Sequence, residues 1–351
     1  MVQVGIVGIG FMGHIHYRAY QRLPGAKVAA IATRNEKRRA GDWTDVTGNF
    51  GPPGEQMDLS GIAAYATLDE LLHDKNVQLV DLCLPPDLHA DAAVKCLEAG
   101  KHVLVEKPIA LATAEADRMM DAARAADRQL LVAHVLPFFP EYAYVMQSIG
   151  DRRYGGLLGG IFKRVISDPT TGWLKDFFNP DKVGGPVVDL HVHDAHFIRT
   201  LFGMPSAVFA QGRMRGPCVE FMTAQFIFDE RPLSIAAVAG VIGQHGRPFT
   251  HAYEIHFEHA TLVYDLAGLG GEFAASGTPL TVLKADGSVE RPTLGSGDPV
   301  DAFVAELSDV VQSIETGQMS ALLDGQLARD ALAICNQVTA SVKSGKAESL
   351  S

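Results

Sequence analysis

The chain has 351 residues, enough for about two domains with a core each. Its 30 basic and 41 acidic residues leave a net charge of −11, which argues against DNA or another polyanion as the main ligand, so no nucleic-acid partner is expected. No apolar run reaches the roughly 18 residues of a membrane span, and the chain enters its first apolar segment at Val2 without a charged leader or cleavage site. A cytoplasmic protein without membrane contact is expected. Cys83, Cys96, Cys218 and Cys335 are dispersed and form no C-x-x-C pair, so reduced, packed thiols are expected rather than disulfides or a cysteine metal site.

Residues 2–7 form an apolar run, Gly8-Ile9-Gly10-Phe11-Met12-Gly13 follows at once, and residues 12–23 have helical character. Strand, glycine turn and helix in that order are the context a dinucleotide fingerprint requires. Gly8 permits the tight turn, Gly10 lets backbone approach a pyrophosphate, and Gly13 lets the helix pack on the strand. The helix N-terminus then faces the phosphate charge. Residues 27–32 read as a second strand, 35–45 as a polar helix and 48–61 as a loop. A buried-type strand over 79–84 is stopped by Pro85-Pro86, a helix over 87–99 ends at Gly100, and a short strand covers 102–105. A helix over 112–126 and a strand over 130–133 complete the alternation, which specifies a doubly wound parallel sheet over residues 1–135.

Aromatic residues and loops dominate from there to a helix over 187–202 that ends at Gly203. Strand-like runs then follow without intervening helices: 207–211, 221–228, 233–241, 252–257, 261–264 and 280–283. Strands in succession predict an α+β domain with an antiparallel sheet, assigned to residues 136–323. Two helices close the chain, over 300–315 and 324–343, and residues 324–351 are assigned to a separate carboxyl-terminal segment.

Three places carry chemistry. The second strand ends in Thr33-Arg34, where an acidic residue would hydrogen-bond the ribose of NAD; the guanidinium of Arg34 suits a 2′-phosphate instead, with Thr33 and Arg38 adding contacts. NADP is therefore favoured. Glu106-Lys107-Pro108 falls at the carboxyl edge of the parallel sheet, where ligands of such sheets bind, and Lys107 there can donate to a substrate oxygen. In Gly184-Gly185-Pro186-Val187-Val188-Asp189-Leu190-His191-Val192-His193-Asp194, Asp189 and His193 stand four apart and share a helix face, so a carboxylate can orient an imidazole for proton transfer. His191 and His193 diverge by about 200 degrees on a helix and no third ligand is identified for His193 and His196, so no metal is expected.

These elements together resemble the glucose-fructose oxidoreductase, inositol dehydrogenase and rhizopine-catabolism (Gfo/Idh/MocA) family. The likeness rests on the glycine turn, on Pro85-Pro86-Asp87-Leu88-His89-Ala90, on residues 99–108 ending in Glu106-Lys107-Pro108, and on Gly185 through His193 with Gly203 behind it. The resemblance implies a Rossmann domain followed by a domain with a large open, mainly antiparallel sheet. It implies a last helix returning to the first domain, a homodimer or homotetramer through the second sheet, and often an unusual peptide geometry before the motif's proline. It also implies a catalytic trio, which carries over to Lys107, Asp189 and His193. Cofactor contacts are then expected from Gly8, Gly10, Phe11, Met12 and Gly13, from Leu84, Pro85, Pro86 and His89, and from Glu106 and Lys107. Such families use NAD as well as NADP, so Thr33-Arg34 decides between them. The sequence departs from the pattern at His191, where glycine is common, and at Pro137, where arginine is frequent.

The expected activity is reversible hydride transfer between NADP(H) and a secondary carbinol of a sugar, cyclic polyol or related hydroxy compound. His193 acts as acid and base, Asp189 orients, and Lys107 polarises the oxygen. Arg164, Asp168, Trp173, Lys175 and His191 are the expected substrate-side residues. Two other readings are kept: a redox-neutral glycoside-cleaving enzyme that uses a tightly held nicotinamide transiently, and a non-catalytic nucleotide or sugar sensor.

Overall fold

The computed structural model describes residues 1–48, 50–169, 176–247, 249–269 and 278–350. The chain divides into two compact units, Met1–Phe139 with Gly295–Arg329, and Pro140–Leu294 with Asp330–Ser351.

The first unit is built on β1 (Val2–Val7), β2 (Ala26–Ala32), β3 (Ala63–Tyr65), β4 (Leu79–Leu82), β5 (His102–Glu106) and β6 (Leu130–Ala133). Their order is β3-β2-β1-β4-β5-β6, all parallel, the order of the dinucleotide-binding fold. Parallel strands require crossovers, here α1 (Phe11–Gln21), the short α2 (Glu36–Arg39) and α3 (Leu68–Leu72), α4 (His89–Glu98) and α5 (Thr113–Ala126). Every strand therefore points its carboxyl end to one edge, and the order reverses between β1 and β4. The polar helix expected over 35–45 shrinks to the four residues of α2, capped by the Asn35 side chain, which accepts from the Arg38 N–H.

The second unit opens with α6 (Pro140–Gly150) and β7 (Leu157–Ser167), reaches α7 (Val192–Phe202), and continues through β8 (Ala207–Arg215), β9 (Cys218–Ile227), β10 (Ser234–Ile242), β11 (Thr250–Phe257), β12 (Ala260–Ala267), β13 (Thr278–Lys284) and β14 (Val289–Glu290). The nine strands run β14-β13-β12-β11-β7-β10-β9-β8-β15, with β15 at Glu348–Ser349. Only the β7–β10 pair among them is parallel, so the sheet is mainly antiparallel as expected. Its central strand β7 was not among the expected strands, because Gly159-Gly160 break the apolar pattern there.

Two segments depart from the expected boundaries. Helix α8 (Val300–Thr316), expected in the second domain, belongs to the first unit, where Phe303, Leu307, Val310 and Val311 share one core with Ile15, Ala19 and Tyr20 of α1. Burying such side chains is worth about 1.5–3 kcal/mol each. Helix α9 (Gly325–Ser344), expected to return to the first domain, runs the other way: it starts in the first unit and ends in the second, where β15 pairs with β8.

Within α8, Glu306 is fully buried and neither carboxylate oxygen has a hydrogen-bond partner among the described residues. Burial pushes its carboxyl well above the usual range, against the opposing pull of His16 and with help from Glu106 and Asp81. A raised acid contributes stability that is whole below pH 4.5 and is lost as the pH climbs through the folded value. Glu306→Gln keeps the neutral form at every pH, so it should raise Tm at pH 8 by roughly 2–4 °C per kcal/mol recovered and leave it unchanged at pH 4. Thermal melts at the two pH values check this; a loss at pH 8 would show that the carboxyl has an ionic role.

Candidate functional site

The glycine turn lies at the reversal point of the parallel sheet. Gly8 has a left-handed backbone (φ +94°), and a Cβ there would lie 2.3 Å from the Cys83 carbonyl oxygen in the loop after β4. At Gly13 a Cβ would stand 2.1 Å from the Gly8 carbonyl oxygen, so α1 begins almost in contact with the turn that precedes it. Gly10 is different: an added Cβ would meet nothing within 4 Å. Open space in front of Gly10, beside a helix N-terminus that carries no side-chain cap, fits a pyrophosphate received by backbone N–H groups. Phe11 and Met12 sit partly buried in the first turn, with Phe11 edge-on to Phe50.

Behind β2, Arg34 is exposed and makes no hydrogen bond or ion pair among the described residues. Arg38 is committed elsewhere. Its guanidinium donates twice to Asp45, at 3.1 and 2.8 Å, and once to the Ile9 carbonyl at 2.6 Å, bracing the glycine turn. Arg38 thus braces the glycine turn through three of its N–H donors. Thr33 Oγ1 accepts from the Asn35 N–H at 3.3 Å.

His89 also holds backbone together. It is fully buried, and its ring nitrogens lie 2.8 Å from the Pro108 and Leu84 carbonyl oxygens, so it ties the loop after β4 to the one after β5. Burial lowers its pKa, with the two carbonyls opposing. Leu84, Pro85 and Pro86 fill the first of these loops, at the carboxyl edge of the sheet. In the second, Glu106 is buried and its Oε2 accepts from the Lys107 N–H at 3.1 Å; Lys107 is partly exposed, and the Lys107–Pro108 peptide is cis.

The second unit holds Asp189 and His193. They lie on one continuous helical path that opens with a π-helical turn, Val187–His191, before α7. In the run 187–198 they are the two residues that are not buried. Gly184 and Gly185 precede the path with left-handed backbones (φ +81° and +78°), and a Cβ at Gly185 would lie 2.8 Å from Cys218 Sγ. The wider π turn, a geometry that recurs at functional sites, was invisible in the sequence spacing.

Of the expected substrate-side residues, Trp173 and Lys175 lie outside the described residues. Arg164 is corrected: it is buried on β7 and forms a two-pronged ion pair with Asp194, both contacts 3.0 Å, so it anchors α7 to the sheet. Asp168 accepts from Arg215 at 2.6 Å, and Arg215 in turn lies 4.2 Å over the Phe178 ring. His191 is fully buried and stacked on Phe226, and neither ring nitrogen has a hydrogen-bond partner among the described residues, so it lines the core rather than an open surface.

Comparison with known proteins follows from this geometry. A family model described as an oxidoreductase family with an NAD-binding Rossmann fold, GFO_IDH_MocA, matches residues 2–134. Residues 2–134 are thus similar to the Rossmann domain of the Gfo/Idh/MocA oxidoreductases. It is 28% identical over 148 residues to a 4-carboxy-2-hydroxymuconate-6-semialdehyde dehydrogenase of Sphingobium sp., covering 42% of this chain and 43% of that one. It is 26% identical over 215 residues to a myo-inositol 2-dehydrogenase of Thermotoga maritima, covering 60% and 58%. The chain spans about half the length of these curated relatives. A levoglucosan dehydrogenase solved with NADH and levoglucosan shares the fold along 99% of both chains, with a TM-score of 0.79 at 20% identity. Among the described residues no helix is long and apolar enough to cross a membrane.

Two predictions come from these sites. Gly10→Ala should leave Tm within about 2 °C and weaken NADPH binding at least tenfold, whereas Gly13→Ala should lower Tm by several degrees, since its Cβ has no room; melts and nucleotide fluorescence titration separate them. Burial depresses His191 from the usual 6.5 to about 4, with Asp194 opposing and Arg164 assisting. A depressed base contributes stability above pH 6.5 that is lost as the pH falls through about 4, here about 3 kcal/mol in all. In His191→Leu, denaturant unfolding at pH 4 and pH 7 should show a smaller acid penalty than in the parent; an equal penalty would rule His191 out as its source.

Proposed function

We propose that this protein is an NADP-favouring, NAD(P)-dependent oxidoreductase that moves a hydride to or from a secondary carbinol of a sugar, cyclic polyol or related hydroxy compound. The observation that carries the reading is the exposure of Asp189 and His193 alone in the otherwise buried run 187–198, four apart on one helical path. The names of the relatives support a hydroxy or carbonyl substrate and differ in its skeleton. The free guanidinium of Arg34, with no acid at the end of β2, supports NADP over NAD. Exposed Ile161 and Leu283 on the nine-stranded sheet support self-association of the chain as a dimer or tetramer.

The nicotinamide supplies the hydride chemistry when bound, held by the Gly8–Gly13 turn and the Leu84–Pro86 loop. The remaining work falls to the chain. His193 takes the hydroxyl proton during oxidation and returns it during reduction. Asp189 holds the hydroxyl and orients the imidazole. Lys107 donates to the carbinol or carbonyl oxygen, where negative charge develops.

A panel of sugars and polyols assayed with NAD and with NADP, read by nicotinamide absorbance, should return one substrate class and a higher kcat/KM with NADP. Lys107→Ala should then lower kcat by about 100-fold or more while NADPH binding changes less than threefold. A clear NAD preference would reverse the cofactor assignment, and near-normal turnover in Lys107→Ala would remove that residue from the mechanism. A sugar consumed without net absorbance change would favour the redox-neutral reading.

A further inference from the structure

The proposed mechanism leaves a buried group of ionisable side chains in the first unit unexplained. His16 on α1, Asp81 on β4, Cys83 just beyond it and Glu106 at the end of β5 meet where the carboxyl ends of the strands converge. His16 and Asp81 are wholly buried and Glu106 nearly so. His16 Nδ1 lies 2.9 Å from Asp81 Oδ2, and Nε2 lies 3.1 Å from Glu106 Oε1, an ion-pair contact angled off the hydrogen-bond line. Cys83 Sγ stands 3.6 Å from the same Nδ1 and 3.5 Å from Asp81 Oδ1. From α1 itself comes Tyr20, and from α8 come Phe303 and Glu306.

His16, Asp81 and Cys83 place one ligand atom each within 4.8 Å of one another, the spacing of a metal site. The chemistry of the set argues otherwise. A metal needs a ring-nitrogen lone pair and a thiolate, but both nitrogens of His16 face carboxylate oxygens, and burial drives the Cys83 thiol far above its ordinary pKa. Two carboxylates flanking one imidazole call for the protonated ring, which has an N–H on each side. Burial opposes that charge, but the Asp81 carboxylate outweighs it and holds the His16 pKa well above the usual value.

We propose that His16 is a positioning residue: an imidazolium held between Asp81 and Glu106 that fixes the Glu106 carboxylate, which in turn holds the Lys107 amide. Glu106 divides its two oxygens, Oε1 toward His16 and Oε2 accepting the Lys107 N–H at 3.1 Å. The helix that follows the glycine turn and the residue assigned to polarise the substrate oxygen are thereby joined through one buried charge. The inference rests on the assignment of Lys107 under the proposed function.

Histidine 1H–15N spectra of the full chain, with and without NADPH, test the protonation directly. His16 should show both nitrogens protonated and unchanged from pH 6 to pH 8.5; a neutral tautomer at pH 7 would overturn the proposal. His16→Gln should shift the Lys107 amide resonance and lower kcat by about 10- to 100-fold, measured on the substrate returned by the panel, with the NADPH Kd within about threefold. Val2→Ala, a core change at the far end of β1 from the Ile6 that pairs with Asp81, should lower stability without either effect. A Lys107 amide that stays put, or a kcat loss no larger than that of Val2→Ala, would refute the positioning role. Should His16→Gln fail to fold, the wild-type spectra still decide the protonation, and Asp81→Asn, expected to shift the same amide, repeats the second test. Normal turnover in Lys107→Ala would bring down the assignment of Lys107 alone, leaving the imidazolium spectrum and amide shift intact.

Discussion

The contact between Gly13 and the Gly8 carbonyl is the constraint on which the first unit depends. With no Cβ at either position, α1 starts against the end of β1, and the turn itself lies against the Cys83 carbonyl at the end of β4. A Cβ at Gly13 would press on the Gly8 carbonyl oxygen and one at Gly8 on the Cys83 carbonyl oxygen, both backbone atoms that cannot turn aside. Because the start of α1 is held so close, His16, one turn further on, reaches Asp81 and Glu106 on the two neighbouring strands. Gly10, by contrast, faces open space, with nothing within 4 Å of an added Cβ.

Around that turn, polar groups are spent on holding backbone. Arg38 braces the Ile9 carbonyl, His89 spans the Leu84 and Pro108 carbonyls, and Glu106 holds the Lys107 amide. A buried hydrogen-bonding group left without a partner costs about 1–3 kcal/mol, so each of these residues serves local structure before it can serve a ligand. In the second unit the Arg164–Asp194 pair does similar work for α7, and in the run 187–198 only Asp189 and His193 stay half-buried. Asp194 anchors the helix, while His193 beside it stays partly exposed.

Much of the first unit was legible because its signals are local. Strand, glycine turn and helix lie within 20 residues, and the alternation of apolar runs with helical patterns reports a parallel sheet directly. The three-residue edge strand β3 was too short for a period to show, and β7 was hidden by two glycines in its middle. Helix α8 was read as a helix correctly, but its partner was not, since periodicity reports that a face is apolar and not what it covers. Lys107, Asp189 and His193 stand out from motif context and spacing; the contacts of Arg38 with the Ile9 carbonyl, of His89 with the Pro108 carbonyl and of Arg164 with Asp194 do not, because each acceptor lies well away in sequence.

By itself the sequence determined the two kinds of sheet, the position of the glycine turn and the residue types at the edge of the parallel strands, all of which follow from short-range pattern and backbone sterics. Only the tertiary structure decided which charges are free and which are spent. Arg34 and Arg38 read alike along the chain, and so do the histidines at 16, 89, 191 and 193; burial and the carbonyl or carboxylate each one meets give them different roles. The His16 link shows this most directly, since 65 residues separate His16 from Asp81 and the packing of α1 on the parallel sheet brings them to 2.9 Å.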